Sequence, residues 1–277
     1  MQSDGFFAAS GAAPSFAFFL VYLLLGTCVY LALILQISAR TSPKGFRPDQ
    51  PTKPFGLPEA ILAGALILFL LLSISASVSH PSADVSPRNL LANLLLTMFV
   101  VLFIVTFLQL RGFDLSSLAG FFKIGFVRTL STGIILLLAA YPLILLAELI
   151  TQRFFGSGSS RQNIVEFFSG SPTIEQRIMI IVFAVAIAPV VEEFLFRFFL
   201  YGVIKRYLGW FLGITLNALL FAAAHAHFPS FVPLFVLGSC FTIAYEWSGS
   251  ILVAMTMHSL FNSVTLTALA FPEIFSQ

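Results

Sequence analysis

Apolar residues run along this chain in long unbroken stretches rather than in alternation. They do so at about eight places, near residues 14–37, 58–79, 89–110, 127–149, 177–204, 208–227, 229–246 and 250–271. A bilayer core roughly 30 Å thick takes about 20 apolar residues of α-helix to cross, so each stretch predicts one spanning helix. Barrel strands would alternate apolar and polar residues with period two. The continuous runs predict an all-α, polytopic membrane protein of about eight transmembrane helices.

The segments between the runs set the organisation. Residues 38–57 are rich in Pro, Lys and Arg and read as an exposed loop. Residues 111–126 mix charged and apolar positions and read as an interfacial helix or a loop. Residues 150–176 hold a Gly-Ser run and a cluster of charges, and form a polar connector. It separates a scaffold half, residues 1–149, from residues 177–271. The first apolar run follows Asp4 and no Lys or Arg, and at about 23 residues is too long for a cleaved leader; it predicts a retained helix.

Composition agrees with this solvent. The chain is 58% hydrophobic with a mean hydropathy of +0.99. A net charge of +2 without a basic tract gives no sign of a nucleic-acid partner; the partner composition demands is the lipid bilayer. Cys28 and Cys240 both fall in apolar runs and read as packing residues, with no disulfide framework or metal-ligand spacing. Lys and Arg are unevenly placed. Alternate loops and run ends hold Arg40, Lys44, Arg47, Lys53, Arg111, Lys123, Arg128, Lys205 and Arg206, against Arg88, Arg153, Arg161 and Arg177 on the other side. The positive-inside rule makes the richer side cytoplasmic and puts both termini outside.

Only 9% of the chain is charged, so charge within a run is informative. A charged group at the bilayer centre costs roughly 2.5–3.5 kcal/mol on insertion scales. The last four runs nevertheless contain Glu192, Glu193, Arg197, Asn217, His225, His227, His258 and Asn262. Function is therefore expected there. Glu193 and Arg197 are four apart, share a helical face and can pair. Glu192 is rotated by about 100° from Glu193. One glutamate suffices for a structural ion pair. A second carboxylate left in low dielectric holds a proton tightly, as a general base requires. Pro189 is positioned to bend this helix. His225 follows Phe221 by one turn across three small alanines. His258 and Asn262 are again four apart, and both side chains carry N–H donors suited to a developing oxyanion. Each pair also fits plain interhelical hydrogen bonding.

Depth brings these clusters together. Glu192 precedes Leu208 by 16 residues and His225 follows it by 17, so both lie about 24–26 Å from the turn near Leu208–Gly209. Counted from Ser248 on the same side, His258 lies about 15 Å and Asn262 about 21 Å up. Gly209 and Gly213 read as close packing at that hairpin.

Glu192-Glu193-x-x-x-Arg197, Phe221-x-x-x-His225 and His258-x-x-x-Asn262, in this order on successive apolar helices, resemble the CPBP family, which includes the type II CAAX prenyl endopeptidases. The resemblance covers about residues 177–270. It implies an intramembrane glutamic endopeptidase without cofactor or metal. Glu192 would activate the attacking water and His225 hold it, Glu193 and Arg197 would brace the site, and His258 and Asn262 would stabilise the oxyanion. The implied substrate is a peptide or protein, prenylated in the tail-processing members. A zinc hydrolase using the glutamates and histidines is the nearest rival, but His-Glu-x-x-His is missing and Arg197 supplies the positive charge of a metal. A non-enzymatic scaffold or immunity-type protein and a transporter are the other readings.

Overall fold

The computed structural model describes residues 16–41, 54–79, 87–121, 123–155 and 173–271. Among these residues every regular element is helical. The elements are α1 (Phe16–Thr41), α2 (Leu57–Ser79), α3 (Pro87–Leu110), the single turn α4 (Leu115–Ala119) and α5 (Phe126–Phe155). They continue with α6 (Ile174–Val182), a π-helical turn π1 (Phe183–Ile187), α7 (Ala188–Glu193), a second π-helical segment π2 (Phe194–Leu200) and α8 (Tyr201–Ala224). A 3-10 turn at Phe228–Ser230 leads into α9 (Phe231–Ser248) and α10 (Ile251–Ala270).

Seven described stretches are long and apolar enough to cross a membrane. One of them, Ile174–Ala224, has 51 residues and would measure about 76 Å if straight, more than twice a bilayer core. It folds back on itself at Gly209, where φ 82° and ψ 169° belong to a region essentially restricted to glycine. A methyl group placed on Gly213 would stand 3.3 Å from the Lys205 Cα and 3.0 Å from the Tyr201 ring. In a straight helix those two residues would be about 12 Å and 18 Å away. The stretch is therefore two crossings, so the described residues hold eight spanning helices, the number the apolar pattern predicts, and the chain is a polytopic membrane protein. Gly213 packs closely at this hairpin, as its spacing suggests.

The outward faces of α1 to α3 carry Leu24, Leu72 and Leu102, each more than half exposed, which suits a lipid solvent and no other. The core lies elsewhere. It gathers α5, π2 and the three last helices around Leu136, Ala140, Phe199, Phe221, Phe241 and Ala254. Helix α1 joins it through Tyr30 and Ile37. Cys240 is buried in it, whereas Cys28 is exposed.

The linking segments resolve into cleaner pieces than their composition suggests. Helix α5 runs six residues into the predicted connector, and Thr173 caps α6 by accepting from the Gln176 N–H at 3.3 Å. In residues 111–126 the helical alternative forms as α4, capped by Asp114, which accepts from the amides of Ser116 and Ser117. Residues 42–53 of the predicted loop and 156–172 of the connector lie outside the described residues.

Candidate active site

The site begins with an irregularity in the helix that carries the glutamates. In π1 the Ala188 N–H donates to the Phe183 carbonyl, five residues back. The Ala184 carbonyl then has the next residue as its π partner, and that residue is Pro189, which has no N–H to give. The freed carbonyl is taken by the Asn262 Nδ2 of α10, at 2.7 Å. The same device recurs in α5. Pro142 leaves the Leu138 carbonyl without its helical donor, and the Tyr22 hydroxyl of α1 supplies one at 2.6 Å. Pro189 thus does more than bend a helix: it creates the docking point for a residue of the third motif.

Five residues later the helix widens again into π2, which re-aims the side chains around Arg197. Glu193 and Arg197 are both fully buried, and the Glu193 Oε1 lies 3.0 Å from the Arg197 Nη1. The same oxygen accepts from His258 Nδ1 at 2.8 Å. The guanidinium lies over the Phe221 ring at 4.1 Å and also faces Phe241 and Phe196, at 5.3 Å and 5.8 Å. The desolvated cation is thus held by aromatic faces and one carboxylate. Its Nη2 reaches the Gly238 carbonyl at 3.5 Å.

Glu192 is differently placed. Its side chain is 29% exposed, and its Oε2 faces His258 Nε2 at 3.9 Å, beyond a direct hydrogen bond. That oxygen has no hydrogen-bond partner among the described residues. His258 therefore stands between the two glutamates, with Nδ1 fixed on Glu193 and Nε2 turned to Glu192. His225 Nδ1 lies 2.8 Å from the Phe221 carbonyl. A carbonyl only accepts, so Nδ1 carries the proton and Nε2 is the free nitrogen in the neutral ring. Phe221 is the hub of the group. Its ring contacts those of His225 (4.7 Å) and His258 (6.0 Å) and the Arg197 guanidinium.

Five of the six expected residues thus meet in one connected cluster. The sixth, Asn262, sits one turn beyond His258 and joins through the Ala184 carbonyl. This narrows which of the N–H donors expected of His258 and Asn262 are free to meet an oxyanion. His258 spends Nδ1 on Glu193, and Asn262 spends one N–H on Ala184, keeping its second.

Helix α9 carries no motif, yet it forms the wall behind Arg197. A methyl on Gly238 would stand 2.9 Å from Phe221 and 3.5 Å from the Arg197 Nη2, so only glycine permits this approach. The Gly238 carbonyl also accepts from the Thr242 hydroxyl at 2.7 Å, and Thr242 accepts from Asn217 at 3.0 Å. Gly238, Phe241 and Thr242 were silent in the charge pattern. A glycine within an apolar helix, the mark of close helix approach, was the available signal.

The catalytic-looking cluster falls within residues 174–264, which match the family model described as "Type II CAAX prenyl endopeptidase Rce1-like". The chain is also similar to the membrane-embedded CAAX protease MroQ of Staphylococcus aureus (strain USA300), with 33% identity over 109 residues. That similarity covers 36% of this chain and 44% of the relative, so the chain matches less than half of the relative's length. No solved structure matches the chain to a significant level. Over residues 174–264, which include the helices that carry Glu192, His225 and His258, the chain is thus similar to the Rce1-like type II CAAX prenyl endopeptidases.

Proposed function

We propose that the protein is an intramembrane peptidase in which Glu192 activates water for attack on a peptide carbonyl. The observation that carries this reading is the contrast between the two glutamates. Each keeps an Oε2 without a hydrogen-bond partner among the described residues, but Glu193 is fully buried with its Oε1 taken by Arg197 and His258, whereas Glu192 is partly exposed and its Oε2 lies 3.9 Å from His258 Nε2. A water at ordinary hydrogen-bond distance, about 2.8 Å, from both atoms fits that spacing.

In the proposed reaction the water oxygen bonds to the scissile carbonyl carbon while its proton passes to Glu192. The resulting oxyanion is met by the second N–H of Asn262, and by His258 where its Nε2 carries a proton. His225 orients the water through Nε2. The C–N bond then breaks, the Glu192 proton goes to the leaving amine, and the carboxylic acid product that forms loses its remaining proton to water. Such proton transfer contributes typically 10²–10⁴-fold, on the order of 3–5 kcal/mol of barrier. Arg197 acts behind Glu193 as a positioning residue.

The similarity to a CAAX protease makes a membrane-bound peptide, prenylated or not, the substrate class to try. The test is cleavage by the purified protein in liposomes of a prenylated CAAX-type peptide and of unmodified peptides. Wild type should cleave in the presence of a chelator, and Glu192→Ala and His225→Ala should not. Cleavage surviving in Glu192→Ala would remove the assignment of the base; loss to chelator would favour a metal.

A further inference from the structure

The two ends of the bundle are unlike, and polar contacts show which segments share an end. Arg40 at the end of α1 donates to the Trp247 carbonyl at the end of α9, at 2.9 Å. Arg111 after α3 pairs with Glu59 at the start of α2, at 3.0 Å. Lys205 before the Gly209 hairpin pairs with Glu246 of α9 at 2.6 Å, and Tyr245 reaches the Leu118 carbonyl of α4 at 3.5 Å. These contacts gather Arg40, Arg111, Lys123, Arg128, Lys205 and Arg206 at one end. At the other end the described helices hold Arg88, Arg153 and Arg177. Six against three marks the first end as cytoplasmic.

The reactive cluster lies toward the second end. His225 is itself the C-cap of α8, and the chain leaves it through exposed Ala226 and Phe228. Ala226 has φ 49°, the one described non-glycine residue in the left-handed region, so the turn beside His225 is sharp. Toward the basic end the cluster is sealed. Arg197, Tyr201, Phe241, Ala244, Ile251 and Ala254 are at most 1% exposed, and the Lys205–Glu246 pair lies beyond them. Glu192 remains partly exposed, and an ionised carboxylate facing lipid would be costly, so its open side is a watery one.

We infer that the site opens on the face of the membrane opposite the cytoplasm, so that its substrate is a peptide segment presented at that outer face, the extracytoplasmic juxtamembrane part of a membrane-bound chain. The identity of the substrate as a peptide rests on the peptidase reading above. The sidedness rests on the charge distribution and the packing alone.

Cysteine accessibility tests it in the full-length protein. In a Cys28→Ser background, with Cys240 buried in the core, Ala226→Cys and Glu192→Cys report the site end and Tyr207→Cys reports the basic end. A charged, membrane-impermeant thiol reagent applied to intact cells should label Ala226→Cys and Glu192→Cys, and should label Tyr207→Cys only after permeabilisation. Labelling of Ala226→Cys or Glu192→Cys only in inverted vesicles, together with Tyr207→Cys, would overturn the proposal. Catalysis is not read in this experiment. A reversed labelling pattern therefore leaves the peptidase reading in place, and a failed peptide assay leaves the sidedness in place.

Discussion

At the scale of single residues, the proposed mechanism has the two adjacent glutamates separate stability from reactivity. Glu193 neutralises a fully buried guanidinium and holds His258. Removing its charge in Glu193→Gln strands Arg197 in the core, which should cost about 3–5 kcal/mol and appear as a lowered unfolding temperature in detergent. Glu192 is partly exposed and makes no hydrogen bond through its inner oxygen. Glu192→Gln should therefore unfold within about 1 kcal/mol of wild type while peptide cleavage falls by about 10²–10⁴-fold. If Glu192→Gln were the more destabilised of the two, the division of labour argued above would be reversed. The six polar residues of the cluster were legible in the sequence because a polar group within an apolar run is expensive and needs a reason. Gly238 and Phe241 were not, because each acts through shape or an aromatic face, and an apolar helix is full of such residues.

At the scale of elements, the helix bearing the glutamates departs from α-geometry twice, and period-3.6 reasoning cannot see a π turn. Pro189 signals a local break, but nothing in its own segment shows that the Ala184 carbonyl will bind a residue 78 positions later. A backbone acceptor is independent of its side chain, so the sequence carries no mark of it. The consequence can be measured. Pro189→Ala restores an N–H that can bond to Ala184, competing with Asn262. Asn262→Leu should be destabilising in the wild-type background and less so in Pro189→Ala. The double-mutant cycle should show a coupling of about 0.5–1.5 kcal/mol. Additive effects would mean that the proline and the asparagine act independently. Pro142, Leu138 and Tyr22 provide the matching cycle in a place remote from the glutamates.

At the scale of the whole molecule, the apolar pattern showed the number of crossings and the hairpin at Gly209, but not how the first helices are rotated, since they are apolar on every side. In the structure α5 packs closely on α10, the helix that carries His258. A methyl on Gly133 would stand 2.7 Å from the Thr256 Cγ2 and 2.9 Å from its Cβ, and Thr256 lies two residues before His258 on α10. Through this contact α5 is placed to set the depth and rotation of His258 against Glu193. Gly133→Ala should push α10 outward, costing about 1–3 kcal/mol by overpacking. Because a displacement of about 1 Å in a reacting group can cost on the order of 10²-fold, cleavage should fall further than stability alone explains. Gly64→Ala on α2 is the matched control, because a methyl there meets nothing within 4 Å. Comparing cleavage rates at a temperature where both variants are fully folded separates the two effects. A Gly133→Ala protein that cleaves as fast as Gly64→Ala would show that the front half encloses the site without positioning it.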